Sequence, residues 1–361
     1  MQQKNMVQDD ILGLLHEVTH PETGSDIVTL GLVENLTVSP DRVQFTLSLP
    51  RSRDPFGPSI KKHCEEAISS RFPEYRGKIS IFIKEAAPKA PARKERKPLG
   101  EEEGIGRIVA VSSAKGGVGK STVTANLAVA LAQAGYRVGI LDADIYGPSQ
   151  PMMFGLADYR PEGRKEGDKE WIVPAEAFGV KVMSVGFFID PTDALMWRGP
   201  MATNALRQMI HQTLWGPLDF LLLDLPPGTG DVHLSLIGEM KLSGAIIVST
   251  PQRVALADVV RGVSMFRNEK IGIPVLGLVE NMAWFTPEEL PQNRYYIFGK
   301  EGTRRLAEET GLPLLAEIPL IQSVREAGDE GKPVTAGDTP EKRFYDELAR
   351  NLVDRLDKIG R

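Results

Sequence analysis

The sequence predicts an α/β protein, a doubly wound and mostly parallel sheet preceded by a small α+β domain, and three observations carry that prediction. From Gly106 onward, apolar runs such as Ile108-Val-Ala-Val111 and Phe220-Leu-Leu-Leu223 alternate with segments of helical periodicity. Strands that are apolar on both faces suit a sheet covered by helices on both sides. Residues 87–104 carry Pro88, Pro91 and Pro98 among charged side chains and almost no large apolar residue, so they read as a flexible linker. Finally, 361 residues at 42% hydrophobic and 25% charged suit two globular domains rather than one. The expected organisation is a small α+β domain over 1–86, the linker over 87–104 and the larger domain over 105–361.

In the first domain, Ile11, Leu14, Leu15 and Val18 recur at helical spacing and the pattern stops at Pro21. After the turn Pro21-Glu-Thr-Gly24, strands are predicted over Ile27 to Val33 and Val43 to Leu49, then a helix over Ser59 to Ser70 and a strand over Ile79 to Lys84. His16-Glu-Val-Thr-His20 matches the zinc-peptidase pattern, which needs both histidines on one face of an intact helix. Pro21 biases His20 out of helical geometry, so a metallopeptidase is set aside.

In the second domain the predicted order is strand 108–112, a helix from Lys120, strand 138–142, a helix after Gly199 and strand 220–224. A helix from Asp231, strand 245–249, a helix from Ala255, strand 275–279 and a helix from Lys300 continue it. The last helix, Glu341 to Ile359, puts Phe344, Tyr345, Leu348, Leu352, Leu356 and Ile359 on one stripe, with Asp346, Glu347, Asp354 and Asp357 on its polar side. Those acids would be repelled by anionic lipid, so the stripe is expected to pack on the sheet. His211 and His233 have no ligand partner nearby in sequence and read as surface or packing residues.

The chemistry is concentrated after the first strand of this domain. Ala114-Lys115-Gly116-Gly117-Val118-Gly119-Lys120-Ser121-Thr122 runs straight into the helical pattern from Val123. That is the strand–turn–helix setting of a P-loop, with Ala114 where the strict pattern has glycine. Glycines let backbone N–H groups turn inward on phosphates and the helix N-terminus adds partial positive charge. Lys120 is expected to neutralise the β- and γ-phosphates and Ser121 to ligate magnesium. The sheet is therefore of P-loop NTPase type, with ATP and Mg2+ as its expected ligands. Asp142 and Asp144 close one strand and Asp224 another. Ligands of open α/β sheets sit at the carboxyl ends of the strands, so these carboxylates are expected to converge on the magnesium and the attacking water.

No apolar run reaches the length of a membrane span, and the first residues lack a secretory apolar stretch. With a single cysteine, Cys64, these features point to the cytoplasm. A net charge of −5 argues against a protein that coats nucleic acid. Neither a nucleic-acid nor a membrane partner is expected.

Lys115, directly after the first motif position, marks a deviant P-loop, and Ser112-Ser-Ala-Lys-Gly-Gly-Val-Gly-Lys-Ser-Thr122 resembles the MinD/ParA group of dimeric ATPases. Asp142-Ala-Asp-Ile-Tyr-Gly-Pro-Ser149, Asp224-Leu-Pro-Pro-Gly-Thr-Gly-Asp231, Val279-Glu-Asn-Met282, Tyr296-Ile-Phe-Gly299 and Ile318-Pro-Leu-Ile-Gln-Ser-Val-Arg-Glu-Ala-Gly328 narrow this further. Together they resemble the Mrp/ApbC family of iron–sulfur carrier ATPases. His20-Pro-Glu-Thr-Gly-Ser-Asp-Ile-Val-Thr-Leu-Gly31 is similar to the small iron–sulfur-assembly domain that often precedes it.

The resemblance implies a homodimer closing face to face on two ATP molecules, with Lys115 reaching the partner's phosphates. It also implies that Asp144 orients the water, that Asp142 and Asp224 belong to the magnesium shell and that Asn281 contacts the adenine. Donor and client apoproteins of iron–sulfur assembly would be its partners. Phosphoryl transfer is catalysed chiefly by positioning and by positive charge, so a lysine from a second subunit would couple hydrolysis to dimer closure.

Where that family carries a Cys-x-x-Cys pair, this sequence has Ala283-Trp-Phe-Thr-Pro-Glu-Glu-Leu-Pro-Gln-Asn-Arg-Tyr295. A cluster normally takes four thiolates, and a dimer of this chain owns only its two copies of Cys64. Helical spacing puts Cys64 with Ile60 and Ile68 beside an apolar stripe, which reads as a buried cysteine. The alternative is a thiolate presented to iron beside His63. Glu288 and Glu289, as oxygen ligands for iron, are ordinary loop acids. The expected function is a slow, Mg-dependent ATPase serving as carrier or scaffold in iron–sulfur cluster assembly and transfer. The rival is a MinD/ParA-like regulatory or positioning ATPase that carries no cluster.

Overall fold

The structure is a computed structural model, and it describes residues 10–21, 24–39, 41–49, 56–85, 104–167, 169–188, 199–287 and 289–360. The linker expected over 87–104 lies outside the described residues except for Gly104, and Glu288 lies outside them too. The chain divides into two compact units, Met1–Arg96 and Lys97–Arg361, each with its own apolar core.

The first unit holds α1, described over 10–15, and a three-stranded sheet of β1 (Val33–Ser39), β2 (Arg42–Leu49) and β3 (Ile79–Glu85) in the order β1-β2-β3. β1 runs antiparallel to β2, while β3 runs parallel to it because α2 (Gly57–Arg71) carries the chain across. Val43, Phe45 and Leu47 alternate into the core, as period two requires, and Ile60, Cys64 and Ile68 of α2 share it. The strand expected over Ile27 to Val33 begins only at Val33. Asp26 Oδ1 accepts the backbone N–H groups of Val28 and Thr29 at 3.1 and 2.7 Å and winds residues 27–31 into a turn. Ile27 and Leu32 remain core residues despite the turn, so the apolar pattern reported burial but not conformation.

The second unit is the doubly wound sheet. Its eight strands are β4 (Ile105–Ser112), β5 (Val138–Asp142), β8 (Ala175–Ala177), β9 (Val180–Ser184), β10 (Leu218–Asp224), β11 (Gly244–Ser249), β12 (Val275–Phe285) and β13 (Leu314–Leu320). Their spatial order is β13-β12-β11-β4-β10-β5-β9-β8, and every neighbouring pair is parallel except β8 with β9. β10 returns between β4 and β5, and β11 then lies on the far side of β4. The direction of winding thus reverses around β4 and β10, and that reversal opens the crevice where α/β proteins bind ligands.

The covering helices are α3 (Lys120–Gln133), α5 (Gly199–Gln212), α6 (Asp231–Ile237), α7 (Arg253–Arg267), α8 (Gly302–Thr310), α9 (Gln322–Asp329) and α10 (Lys342–Lys358), with α4 (Gln150–Met153) a single turn. The stripe of α10 packs against α3 and β13, with Tyr345, Leu348, Leu352 and Leu356 buried, as its periodicity predicts. Among the described residues no helix is long and apolar enough to cross a membrane. Five strands were not expected, and of these β13 forms one edge of the sheet. β8 and β9 extend the sheet, and β6 (Gly163–Glu166) pairs with β7 (Lys169–Ile172) as a separate hairpin.

Candidate phosphate site

β4 ends at Ser112, and the backbone then folds through Ala114–Gly119 into α3. Gly117 and Gly119 both hold φ of +81°, the left-handed region that glycine occupies without the steric cost of a side chain. At Gly119 space is also forbidden, because a Cβ there would lie 2.2 Å from Asn281 Nδ2. Asn281, on β12, donates that Nδ2 to the Val118 carbonyl at 2.8 Å and braces the loop from below. Met282, next in the chain, has φ of +56°, which only a side chain held by its surroundings sustains.

Lys120 opens α3 and is buried. Its Nζ lies 2.5 Å from Asp224 Oδ1, 3.7 Å from Asp144 Oδ2 and 3.1 Å from Ser121 Oγ. These acids arrive from separate strands. Asp224 and Asp142 are register partners at the ends of β10 and β5, and Asp144 follows β5 directly. Burial disfavours the Lys120 charge, yet Asp224, then Asp144 and Asp142, outweigh it and hold the ammonium above its ordinary range. Asp142 is fully enclosed. Burial first, and the Asp224 charge second, push its carboxyl up to about 7, against Lys120, Ser184 Oγ and the Gln150 N–H, which favour ionisation. Asp144 is raised by burial, with Lys120 opposing.

The remaining polar contacts tie the carboxylates to the loop. Thr124 Oγ1 donates to Asp224 Oδ1 at 3.3 Å, and Gln150 Nε2 donates to Asp224 Oδ2 at 2.8 Å and to the Ser121 carbonyl at 3.1 Å. Gly228 N–H, in the loop after β10, donates to the Ser113 carbonyl at 2.9 Å. Lys115 is exposed. The structure therefore brings Lys120, Ser121, Asp142, Asp144, Asp224 and the underside of the loop, with Asn281, into one place.

The site fits magnesium. Its oxygen donors, Ser121 Oγ and the carboxylates of Asp142 and Asp224, suit a hard cation, and Asp224 is already engaged on both oxygens by Lys120, Thr124 and Gln150. Among the described residues no group of three or more His, Cys, Asp or Glu could cage a metal by itself. Magnesium in nucleotide sites needs no such cage, because it keeps several waters and takes oxygens from the phosphates.

Gln150 went unnoticed in the sequence, since a neutral side chain in Gly-Pro-Ser-Gln-Pro carries no charge signal. Cys64 does not suit the iron role. It is wholly enclosed in the core of the first unit, and burial, with Glu65 next, pushes its thiol up to about 12, so it stays protonated at neutral pH. In the peptidase-like motif, His16 Nδ1 pairs with Asp26 Oδ1 at 2.8 Å and His20 packs edge-on against Phe56. His211 pairs with Glu239 at 3.1 Å, and His233 is buried, its pKa lowered chiefly by that burial.

Comparison with known proteins agrees with this geometry. Residues 104–353 match the family described as NUBPL iron-transfer P-loop NTPase, and residues 8–81 match the iron-sulfur cluster assembly protein family. An iron-sulfur cluster carrier protein of Synechocystis is 40% identical over 329 residues, covering 91% of each chain. A nucleotide-binding protein of Archaeoglobus fulgidus solved with ADP is 38% identical with a TM-score of 0.58, over 67% of this chain and 93% of that one. The septum site-determining protein MinD of Pyrococcus horikoshii, solved with Mg-ADP, is 25% identical with a TM-score of 0.51, over 71% and 98% of the two chains. A phosphate-loop sequence on a MinD-like sheet, with the family match over residues 104–353, more than half of the chain, places this chain in the NUBPL-type family of iron-transfer P-loop NTPases.

Proposed function

We propose that the chain is a Mg-dependent ATPase that acts as a homodimeric carrier or scaffold in iron–sulfur cluster assembly and transfer. The observation that carries this reading is the buried Lys120–Asp224 pair beneath a phosphate-binding loop, in a chain of the iron-transfer family. Lys120 meets the β- and γ-phosphates, the loop N–H groups and the N-terminus of α3 add positive potential, and Ser121 with the Asp224 and Asp142 carboxylates holds the cation. Asp144, with its Oδ2 3.7 Å from Lys120 Nζ, orients the attacking water. Lys115, exposed on the loop, reaches the phosphates of a second subunit, so hydrolysis follows closure and turnover is slow. Asn281 contacts the adenine and also braces the loop through the Val118 carbonyl. Residues 1–86 form the module that meets donor or client apoproteins, and 87–104 tether it. The ATPase works in the cytoplasm.

The cluster is cargo, and its thiolates come from the donor or client protein. Cys64 is enclosed and protonated, and 283–295 contain no cysteine. The same observation favours the second reading, a regulatory switch of MinD/ParA type that handles no cluster. Anaerobic reconstitution with iron and sulfide separates them, with bound iron and acid-labile sulfide measured for wild type and Cys64→Ala, alone and with a cysteine-bearing scaffold apoprotein. The carrier reading expects little cluster on either chain alone and ATP-dependent cluster in the mixture. Cluster lost only in Cys64→Ala would make Cys64 a ligand after all, and none in any mixture would leave the switch.

A further inference from the structure

Gln150 is fully buried and hydrogen-bonds to both Asp142 and Asp224 and to the backbone of Ser121. Its backbone N–H donates to Asp142 Oδ2 at 3.1 Å, and Ser184 Oγ donates to that same oxygen at 2.9 Å. Its Nε2 donates to Asp224 Oδ2 at 2.8 Å and to the Ser121 carbonyl at 3.1 Å. One residue thus links the two carboxylates to each other and to the backbone of the serine that would bind the metal.

The orientation of the amide follows from its partners. A carboxylate oxygen and a peptide carbonyl both only accept, so the nitrogen must face them and the carbonyl oxygen Oε1 is left over. That Oε1 is sealed from solvent and has no hydrogen-bond partner among the described residues. A buried acceptor left unpaired costs about 1–3 kcal/mol, a cost that evolution tolerates where a ligand supplies the missing donor. Waters held by magnesium are such donors, and groups that orient metal ligands from behind tune the metal as strongly as the ligands do. Glutamate in this place would lose the N–H donors and add a third carboxylate beside Asp142 and Asp224, so the neutral amide is the form that fits.

We propose that Gln150 is a positioning residue for the metal–nucleotide complex. Nε2 fixes Asp224 against the Ser121 backbone, the N–H fixes Asp142, and Oε1 accepts a hydrogen bond from water in the shell of the bound cation. This rests on the Mg-ATP reading of the site.

The test is equilibrium binding of a fluorescent ATP analogue to the full chain, in EDTA and across a Mg2+ titration, for wild type, Gln150→Ala and Gln150→Asn. The expected result is that the ratio of affinities with and without Mg2+ falls roughly 10- to 100-fold in the variants, with the Mg2+ midpoint displaced upward. A ratio and midpoint equal to wild type would overturn the proposal. Equal loss with and without metal would also overturn it, because that is the mark of a purely structural residue. Gln150→Asn keeps an amide of shorter reach, so it carries the measurement if Gln150→Ala fails to fold. Wild type that binds without any response to Mg2+ would instead overturn the Mg-ATP reading itself.

Discussion

Lys120 Nζ lies 2.5 Å from Asp224 Oδ1 with both side chains closed off from solvent. The lysine follows β4 and the acid ends β10, and the two strands are hydrogen-bonded neighbours in parallel register. The position of this buried lysine charge is therefore set by the pairing of the sheet as well as by the loop.

Removing one partner of a buried ion pair leaves the other uncompensated, at a cost of roughly 3–5 kcal/mol. Lys120→Ala is expected to lose ATP hydrolysis, to bind nucleotide far more weakly and to unfold at lower denaturant by about that amount. Adding Asp224→Asn should recover part of the stability and none of the turnover. Steady-state ATP hydrolysis with urea titrations of both variants checks this, and retained turnover in Lys120→Ala would rule out the phosphate role.

Lys115 is exposed on the same loop. Lys115→Ala is expected to keep most nucleotide affinity and the fold, while hydrolysis falls by roughly 100- to 1,000-fold, as when a charge-stabilising donor is lost. Sedimentation with a non-hydrolysable ATP analogue should show the wild type closing into dimers and the variant remaining monomeric. Undiminished hydrolysis would contradict the cross-subunit role.

Gly119 meets two constraints at once, φ of +81° and Asn281 Nδ2 at 2.2 Å from any Cβ. Gly119→Ala should lose nucleotide binding and at least the roughly 1–2 kcal/mol of a left-handed alanine. Asn281→Ala in the same chain removes the collision but keeps the dihedral strain, so stability should return only in part. A double-mutant cycle on unfolding free energy reads the coupling, and additive effects would mean the two positions do not meet.

Asp219 offers a pH signature outside the site. Hydrogen bonds from the Arg137 side chain and backbone hold its carboxyl down to about 2, against an ordinary value of 3.8. A carboxyl lowered in the folded state stabilises it above the ordinary pKa, and the contribution is lost as pH falls from about 4 towards 2. The pair is partly exposed, so solvent screening keeps the gain small. Arg137→Ala should flatten the stability profile in that window and leave it parallel to wild type above pH 5, as thermal melts across pH would show.

Much of this was legible in the residues. Continuous apolar strands ending in Asp142 and Asp224, a glycine-rich turn between strand and helix, and the stripe of α10 each carry a physical signature strong enough to read without coordinates. The turn at 27–31 was not legible, because Asp26 overrides an apolar run with local hydrogen bonds that periodicity does not register. β8 and β9 are short, and the run around β8 is half polar, so neither stood out. Gln150 and the Asn281–Val118 bond were hidden for a different reason. Their importance lies in what neutral amides face across 29 and 163 positions of chain, and sequence spacing alone gives no view of that.

Delivery of cluster from a loaded, cysteine-bearing scaffold, in the presence of this chain, to an apo-acceptor with cysteine ligands tests the central claim most directly. It would be followed anaerobically by the acceptor's visible absorption and acid-labile sulfide, with and without Mg-ATP, for wild type and Lys120→Ala. The expected result is delivery accelerated by Mg-ATP in wild type and background delivery in Lys120→Ala. Background delivery by wild type, or equal acceleration in the variant, would contradict an iron–sulfur carrier driven by this phosphate site.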